Sequence, residues 1–380
     1  MRRLVVAFFY LWYGTPAHDG GWQHWDHEVL PHWRGEVNDR LAGAVGARYA
    51  PPEDVHAPFY PLRGLYSSAD GGALRQQFAE ARGAGVDSLA LSWWGPEWRE
   101  GATDTQGVNT DGRLLVALDA AQAANASCSL HLEPYPGRTA ESVREDLVHL
   151  RRTGVLRHPA LTRVDGRPLA FVYDSYHIAE GDWARLLARD GARSVRHTAL
   201  DVYAVGLWLE RDHGKQLAAG GFDGAYTYFG SQDMGFGARA RNWQGMAGAA
   251  EMLRLSFWPC VAPGYDDTRI RPWNSEHTTP RDGGATYRGR WRAALGAARD
   301  SAAVAGVGVT SWNEWGEGTQ IEPAAEGVAR PAARWHQAGE YQSYAPQPPD
   351  FYLTLTRQHA DELRAIGGTS GPAGRDAMEL

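Results

Sequence analysis

The feature that most constrains the fold is a regular alternation of short apolar runs with helical patterns. Eight apolar runs end in polar or aromatic residues, and they cover 4–12, 88–94, 128–135, 169–175, 200–208, 224–229, 258–265 and 306–312. Helical patterns lie between most of them, at 74–82, 114–124, 141–152, 183–189, 214–219 and 287–302. Strands that alternate with helices pair in parallel through right-handed crossovers. The sequence therefore predicts an α/β fold, and eight such units favour a closed (β/α)8 TIM-type barrel.

An open, doubly wound sheet is the structural alternative. No glycine-rich phosphate fingerprint follows the first run, which argues against a dinucleotide-binding version of that sheet. We predict one domain with long βα loops: a barrel over 1–345, a helical segment packed on it over 346–366, and a disordered tail over 367–380. Two irregular stretches, 17–69 and 266–284, follow strand ends. They should lie on the face where barrel enzymes keep their active sites.

Aromatic content indicates the kind of ligand, since the chain has 16 Trp and 16 Tyr. Core packing seldom needs so many indoles, because each buried N–H needs a partner, whereas a groove for neutral polar ligands uses both ring and N–H. The net charge is −7, and no Lys/Arg run is interleaved with aromatic residues. Nucleic acid and anionic membranes are therefore poor candidate partners. No stretch is long and apolar enough to predict a membrane span.

The N-terminal residues 1–10 imitate a signal peptide, because two arginines precede an apolar run. The run continues into Leu11 and Trp12 without a small-residue cleavage site, so we interpret it as the first strand. No clear export signal follows, and the compartment is left open. The two cysteines, Cys128 and Cys260, lie far apart in predicted strands. They predict small buried core residues rather than a disulfide framework or a zinc site.

The last apolar run leads into TSWNEWGEGTQ at 310–320, the motif that says most about function. Glu314 and Glu317 stand three residues apart, interleaved with Trp, Asn and Gly. Trp offers a flat face for a sugar ring, Asn offers directional hydrogen bonds, and paired carboxylates offer acid and base chemistry. The motif predicts a carbohydrate-active enzyme with its catalytic pair at the end of a late strand. A surface turn after a core strand is the alternative.

The spacing of the two glutamates predicts an unusual division of labour. In the common retaining design, two carboxyls about 5–5.5 Å apart approach the anomeric carbon from opposite sides. Glu314 and Glu317 share one loop, so one would protonate the leaving oxygen while the other deprotonates a sugar hydroxyl that attacks internally. Their proximity should raise the pKa of one of them. Glu133 is a third candidate, which either binds a hydroxyl, partners Glu317 across the cup, or forms a structural ion pair with Arg.

Other polar residues follow the strand ends. A cluster in the first long loop comprises His18, Asp19, His24, Asp26, His27 and His32. A metal site is conceivable with His24 and His27 at i,i+3, but tight ligand spacing is missing. Hydrogen bonds to sugar hydroxyls, or plain loop structure, are favoured, and we predict neither metal nor cofactor. After the seventh run, Arg269, Arg271 and Trp273 form either a solvated loop or a clamp on a distal sugar.

These motifs together resemble a known family. They are YLWYG at 10–14, GWQHWDH at 21–27, VLPHW at 29–33, FYP at 59–61, HLEPY at 131–135, YDSY at 173–176, GFDGAYTYF at 221–229, PGY at 263–265, IRPWN at 270–274 and NEWGEGTQIE at 313–322. The chain is similar in all of them, in the same order, to glycoside hydrolase family 99, the endo-α-1,2-mannosidases and endo-α-1,2-mannanases. The likeness runs from residue 4 to about residue 323.

The resemblance implies a (β/α)8 barrel without a catalytic metal that cleaves internal α-1,2-mannosides with retention, through a 1,2-anhydro sugar. It implies that Glu314 is the base that deprotonates the 2-hydroxyl and that Glu317 is the general acid and later base. The expected substrate is a mannose-containing glycan or mannan oligosaccharide. The predicted substrate-binding residues are Tyr13, His24, Trp94, Glu133, Tyr173, Tyr228, Arg271 and Asn313.

Two positions bear on how this chain differs within the family. Trp94 resembles a position that is Tyr in animal enzymes, which accept glucose before the cleaved mannose, whereas bacterial mannan-degrading enzymes tend to carry Trp. We therefore favour an endo-mannanase. Gly316 stands where many members are expected to have His. Two alternatives stay open: a barrel glycosidase of other specificity that uses Glu133 and Glu317, and a sugar-binding protein that has lost activity.

Overall fold

The computed structural model describes residues 2–41, 43–333 and 335–368. Its strands are β1 (Leu4–Phe9), β2 (Ser88–Trp93), β3 (Cys128–Leu132), β4 (Arg163–Val164), β5 (Arg167–Val172), β6 (Tyr203–Leu207), β7 (Gly224–Tyr226), β8 (Ser256–Trp258), β9 (Cys260–Val261), β10 (Gly306–Val309), β11 (Ala329–Arg330) and β12 (Gly339–Glu340). The main sheet is parallel, in the order β8-β7-β6-β5-β3-β2-β1-β10-β9, with β4 added antiparallel to β5. Because β8 and β9 follow one another along the chain, this order closes the sheet into a barrel.

The seventh barrel strand is split at Pro259. Its first part, β8, pairs with β7, and its second part, β9, pairs with β10. A proline has no N–H to donate to the ladder, so the strand is interrupted there. The Pro259 carbonyl still accepts from the N–H of Gly308 at 2.9 Å. The two short pieces therefore act as one strand, and the prediction of a (β/α)8 barrel is confirmed.

The helices are α1 (Pro16–Asp19), α2 (Gly35–Arg40), α3 (Gly71–Gly83), α4 (Arg113–Ala123), α5 (Ala140–Arg152), α6 (Glu180–Leu187), α7 (His213–Ala219), α8 (Trp243–Leu253), α9 (Ala285–Asp300) and α10 (Phe351–Gly368). Helices α3 to α10 each follow one barrel strand and form the outer ring. Sequence reasoning missed α8, in which five of the eleven residues are alanine or glycine, so its apolar stripe is weak in the sequence. No helix in the described part of the chain combines the length and the apolar character that a membrane crossing requires.

The last helix, α10, closes the ring between α9 and α3. Its Thr356 hydroxyl lies 2.8 Å from the hydroxyl of Tyr287 in α9, and Arg364 pairs with Asp87 at the start of β2. The helix extends through 367 and 368, where the sequence predicted the start of a disordered tail. Residues 369–380 lie outside the described residues. The predicted domain bounds stay a prediction.

An aromatic cluster fills the barrel interior. Phe8 lies 5.5 Å from Phe171 and 5.6 Å from Tyr226, and Phe171 lies 5.7 Å from Trp258, measured between ring centroids. All four side chains are buried, and they come from four different strands. Cys128 and Cys260 are buried free thiols, as predicted. The packed interior separates the two ends of the barrel, and barrel enzymes bind their ligands at the carboxyl ends of the strands.

Candidate active site

The carboxyl end of β10 leads directly into the loop that carries both glutamates. The N–H of Glu314 donates to Ser311 Oγ at 2.7 Å, and the N–H of Ser311 donates to the Thr319 carbonyl at 2.9 Å. Between them the chain turns at Gly318, which has a φ of 59°, a conformation that favours glycine. A loop closed in this way holds the Glu314 and Glu317 backbones in fixed positions at the barrel mouth.

A second set of contacts fixes this loop to the start of the first long loop. Asn313 is fully buried; its Oδ1 accepts from the N–H of Tyr10 at 2.8 Å, and its Nδ2 donates to the Tyr10 carbonyl at 3.0 Å. Tyr13 donates its hydroxyl to the Asn313 carbonyl at 2.8 Å. Both side chains lie behind the catalytic loop and do not line the cavity described next. Both residues were predicted to bind substrate. Their hydrogen bonds instead hold the loop that carries Glu314 and Glu317 against the chain at Tyr10.

The two glutamates line one small cavity of about 160 Å³ at the barrel mouth. Its walls are Tyr10, Trp12, His24, His27, Trp94, Thr105, His131, Glu133, Tyr173, Tyr228, Ile270, Arg271, Glu314 and Glu317. A wider cavity of about 780 Å³ adjoins it and shares Tyr173, Tyr228, Arg271 and Glu317 with it. Glu314 belongs only to the small cavity, whereas Glu317 stands where the two meet. Hence a ligand that fills both cavities passes Glu317 at their junction.

Burial raises the proton affinity of both glutamates, and neighbouring carboxylates add to the effect. Burial raises the pKa of Glu314 well above its ordinary value, and the charge of Glu317 raises it further. Burial raises the pKa of Glu317 to about 7, while Arg271 opposes that rise. Arg271 Nη1 lies 3.4 Å from Glu317 Oε1 and 3.0 Å from Asp267 Oδ2. The pair is therefore expected to share a proton near neutral pH, as acid and base catalysis requires.

Tyrosines form the wall opposite the glutamates. The hydroxyls of Tyr10 and Tyr228 are hydrogen-bonded, and burial raises the pKa of each phenol, so both stay neutral. Tyr228 has a φ of 54°, which is unusual for a bulky residue, and Thr310 Oγ1 donates to its carbonyl. Non-glycine residues in this conformation occur preferentially at functional sites. Thr310 and Tyr228 thereby connect the end of β10 to the loop after β7.

Glu133 is held by neighbours other than the predicted arginine. Its Oε1 accepts from Ser92 Oγ at 2.9 Å and lies 3.0 Å from His131 Nδ1. His131 Nε2 lies 3.0 Å from the hydroxyl of Tyr226. Among the described residues, no arginine forms an ion pair with Glu133. The carboxylate is thus buried in the cavity wall with polar neighbours, where a sugar hydroxyl can reach it.

Three histidines, His24, His27 and His56, pack together at the small cavity, and the first two form part of its wall. His24 Nδ1 lies 2.6 Å from Asp104 Oδ2, and both side chains are buried. Asp104 Oδ1 also accepts from the N–H groups of Gln106 and Val108 at 2.8 and 2.7 Å. Burial lowers the pKa of His27 to about 2 and lowers that of His56 well below its usual value. In the described part of the chain, no group of three metal-ligating side chains is placed to hold a metal ion.

Of the predicted binding residues, the structure brings His24, Trp94, Glu133, Tyr173, Tyr228 and Arg271 into the small cavity with both glutamates. Sequence reasoning missed Asp104 and Asp267. Asp267 is fully buried and holds Arg271, Tyr265 and Asn274. Asp104 lies in a short turn. Its polar sequence, TDTQG at 103–107, is typical of an ordinary surface loop. Only its contact with His24, 80 positions away in sequence, distinguishes it.

The family model of Glycosyl hydrolase family 99 matches residues 1–365. The chain belongs to this family. Among curated relatives, the glycoprotein endo-alpha-1,2-mannosidase-like protein of Mus musculus is 36% identical over 362 residues, which is 94% of this chain and 76% of that protein. The glycoprotein endo-alpha-1,2-mannosidase of Rattus norvegicus is 35% identical over 369 residues, covering 95% and 75% of the two chains.

A solved structure from the same family supports the fold. The GH99 endo-alpha-mannosidase of Bacteroides thetaiotaomicron superposes with a TM-score of 0.82 at 34% identity, over 96% of this chain and 98% of that one. The predictions of family and barrel are confirmed. This family 99 protein is therefore a glycoside hydrolase, and its family supports endo action.

The structure around residue 316 explains why a glycine stands there. A Cβ there would stand 2.9 Å from His56 Cδ2 and 3.2 Å from Glu314 Oε1. The space that a side chain at 316 would need is thus taken by the buried His56 ring. Gly316 lets the loop pass close to this ring while Glu314 Oε1 accepts from the Gly316 N–H at 3.1 Å.

Gly316→Ala is expected to lower kcat by about 10–10²-fold, because a displacement of about 1 Å in a catalytic group has effects of this size. The His56 ring is enclosed and cannot withdraw, so the added methyl displaces Glu314. Steady-state kinetics measure the loss. Gly289→Ala is the control, since nothing lies near its added methyl, and it should keep full activity. An unchanged kcat for Gly316→Ala would show that the loop accommodates the methyl group without displacing Glu314.

Proposed function

We propose that the protein is a retaining endo-α-1,2-mannosidase that acts on mannan-type glycans. The observation that carries the proposal is the pair of coupled, buried carboxyls on one loop, at the junction of a small cavity and a wide one. The small cavity suits the sugar whose bond breaks, and the wide cavity suits the leaving part of an internal chain. The names of the relatives, glycoprotein endo-alpha-1,2-mannosidases, supply the linkage and the sugar.

The proposed first step breaks the glycosidic bond by internal attack. Glu314 removes the proton from the 2-hydroxyl, O2 bonds to the anomeric carbon, and the bond to the leaving oxygen breaks. Glu317 gives its proton to that oxygen. The product in the cavity is a 1,2-anhydro sugar, and the proton from O2 now resides on Glu314. Two carboxyls on one loop fit this step, because both protons move on the same part of one pyranose.

The second step restores the protein. Glu317, now a carboxylate, takes a proton from water, and the water oxygen bonds to the anomeric carbon. The anomeric bond to O2 breaks, and Glu314 returns its proton to O2. Two displacements at one carbon give net retention. Water enters from the wide cavity after the leaving chain has departed.

The pKa values of Glu314 and Glu317 belong to the pair, because protonation of one carboxyl changes the proton affinity of the other. In the empty cavity the pKa of Glu314 is raised more strongly than that of Glu317, yet the mechanism starts with the proton on Glu317. A shared proton reconciles the two, because coupled carboxyls titrate together. A carboxylate with a raised pKa is also the stronger base toward a hydroxyl. Of the two glutamates, only Glu317 forms an ion pair with Arg271 among the described residues. The guanidinium stabilises the carboxylate that Glu317 becomes when it has given up its proton in the first step.

The surrounding residues have proposed roles that follow from their contacts. Glu133, Tyr173 and Tyr228 bind hydroxyls of the sugar in the small cavity. Asp104 fixes the His24 ring, so that Nδ1 faces the carboxylate and Nε2 is left for the ligand. Tyr13 and Asn313 position the loop. Trp94 lines the small cavity and, by resemblance, favours mannose over glucose in the sugar that precedes the cleaved mannose.

The pH dependence of kcat/KM is expected to be bell-shaped, with its acid limb near pH 7. A raised pKa means that a second proton binds the pair already near pH 7, which removes the base. Steady-state rates across a pH series measure this limb. In Glu317→Gln, Glu314 keeps its buried surroundings and titrates beside an uncharged neighbour, as it does when the second proton binds the wild-type pair, so with an activated substrate the limb should not move to lower pH. An acid limb near 4.5 in the wild type would contradict the coupling.

The products of a mannan digest test the proposed function. The mannan carries α-1,2-linked chains in which the mannose before the cleaved bond is joined to its outer sugar through a hydroxyl other than O2, so that its 2-hydroxyl is free to attack. Proton NMR of a fresh digest should show internal cleavage and an α-configured new reducing end before mutarotation. A β-configured product would exclude the mechanism. Release of single sugars from chain ends would exclude endo action, and binding without any cleavage would support the sugar-binding alternative.

A further inference from the structure

An exposed tryptophan stands at the outer edge of the wide cavity. Trp33 is 77% exposed, and it lines that cavity together with Trp273 and Glu317. An exposed indole offers a flat apolar face to a ligand. Trp33 is not part of the small cavity and has no role in the steps above. Its position at the edge of the wide cavity makes its face available to whatever that cavity binds.

The orientation of Trp33 is fixed by its neighbours. His32 stacks on it with ring centroids 3.7 Å apart, and Trp273 meets it edge-on at 5.3 Å. Trp273 is itself anchored, because its Nε1–H donates to the Leu30 carbonyl at 3.3 Å. The N–H of Leu30 in turn donates to the carbonyl of Ile270 at 2.8 Å. Two loops from different strands thus join to hold one indole with an open face.

The chemistry of the wide cavity selects its occupant. Besides Trp33 and Trp273, its wall carries Glu210, Arg211, Asp233 and Arg239. Acidic and basic groups are both present there, which suits a neutral ligand rich in hydroxyls better than an apolar protein segment or an anionic surface. A flat aromatic face with polar groups around it is the arrangement that a pyranose ring fits.

We propose that Trp33 is a stacking platform for a distal pyranose of the leaving chain, beyond the sugar next to the cleaved bond. The inference rests on the proposed function, because it takes the wide cavity as the leaving-group side of Glu317. It deepens that function by predicting a preference for longer chains. The platform binds the sugar face, whereas the charged wall binds hydroxyls.

A chain-length series tests the proposal. Wild type, Trp33→Ala and Trp98→Ala are compared on manno-oligosaccharides that extend by increasing numbers of α-1,2-linked mannoses on the reducing side of the reacting mannose. In every member the reacting mannose carries its outer sugar on a hydroxyl other than O2, so that its 2-hydroxyl is free. Trp98 is the matched control, since it is 63% exposed but lines a separate depression with Glu141 and Arg144. For Trp33→Ala, the ratio of kcat/KM on long chains to that on the shortest chain should fall about 2–10-fold. Trp98→Ala should keep the wild-type ratio.

The outcomes separate the two proposals. An equal loss at every length, or no loss at all, would overturn the platform while cleavage by the wild type still supported the function. If the wild type cleaves none of the series, the function itself fails. Trp33→Phe keeps an aromatic face and should retain most of the chain-length preference; a Phe variant as poor as the Ala variant would also count against stacking.

Discussion

Glu314→Gln should abolish cleavage of every substrate, whereas Glu317→Gln should lose only the substrates with poor leaving groups. With a natural glycan, each variant is expected to fall by at least about 10²–10⁴-fold, the usual contribution of a positioned acid or base. An activated aryl leaving group departs without protonation, so it bypasses the acid. It does not bypass the base, because O2 must still lose its proton.

The measurement is kcat/KM for a natural α-1,2-linked substrate and for an aryl glycoside, with both variants side by side. Glu317→Gln should return to within about tenfold of the wild type on the aryl glycoside, whereas Glu314→Gln should not recover. Glu326→Gln is the matched control, an exposed glutamate after the same loop that should leave both rates unchanged. Rescue of Glu314→Gln instead would reverse the two roles. Loss of activity on the aryl glycoside in Glu133→Gln alone would favour the alternative pair, Glu133 and Glu317.

Glu322→Ala should be the most destabilising single change near the site. Glu322 is fully buried; its carboxylate accepts from Arg63 Nε at 2.7 Å, from the Tyr66 hydroxyl at 2.8 Å and from Trp315 Nε1 at 3.1 Å. Truncation leaves a guanidinium and buried donors without their acceptor. Breaking a buried ion pair from one side costs about 3–5 kcal/mol. Because Trp315 lies between Glu314 and Gly316, kcat should fall as well.

Urea unfolding at neutral pH measures the free energy of unfolding for this variant. The matched control is Glu80→Ala, which removes the other carboxylate on Arg63. Glu80 is 38% exposed, so that loss should be only about 0–1 kcal/mol. If the two variants lost the same free energy of unfolding, burial of Glu322 would not explain the contribution of its contacts to stability. A stable but slow Glu322→Ala would assign the residue to positioning Trp315 alone.

The barrel could be predicted because its strands are buried on both faces and stand out as apolar runs. The pairing of the seventh strand could not be predicted from the apolar runs. Pro259 divides this strand, and only the structure shows that its two halves pair with different neighbours. Helix α8 was missed because alanine and glycine carry little periodic signal. The last helix was recognised, but its place as the eighth of the ring depends on contacts with α3 and α9 that no local pattern encodes.

The candidate site was predictable where one short motif carries the chemistry. Glu314 and Glu317 were found because carboxylates, Trp and Gly follow a buried strand. Asn313 and Tyr13 look the same in sequence as ligand-binding residues, yet they point their polar atoms at backbone. Asp104 and Asp267 were missed because their importance comes from partners on other loops or from burial. Such contacts depend on the closure of the barrel, which brings distant loops together.

The account depends on the 2-hydroxyl of the reacting sugar, and one measurement tests it most directly. A glycoside with an aryl leaving group, whose outer sugar is attached to the reacting sugar at a hydroxyl other than O2, is prepared with and without the 2-hydroxyl, and the rate of aryl release is compared. The account predicts that the 2-deoxy substrate binds and is not cleaved, since Glu314 has no proton to remove and no oxygen can attack. Release of the aryl group from the 2-deoxy substrate at a rate near that of its parent would contradict it.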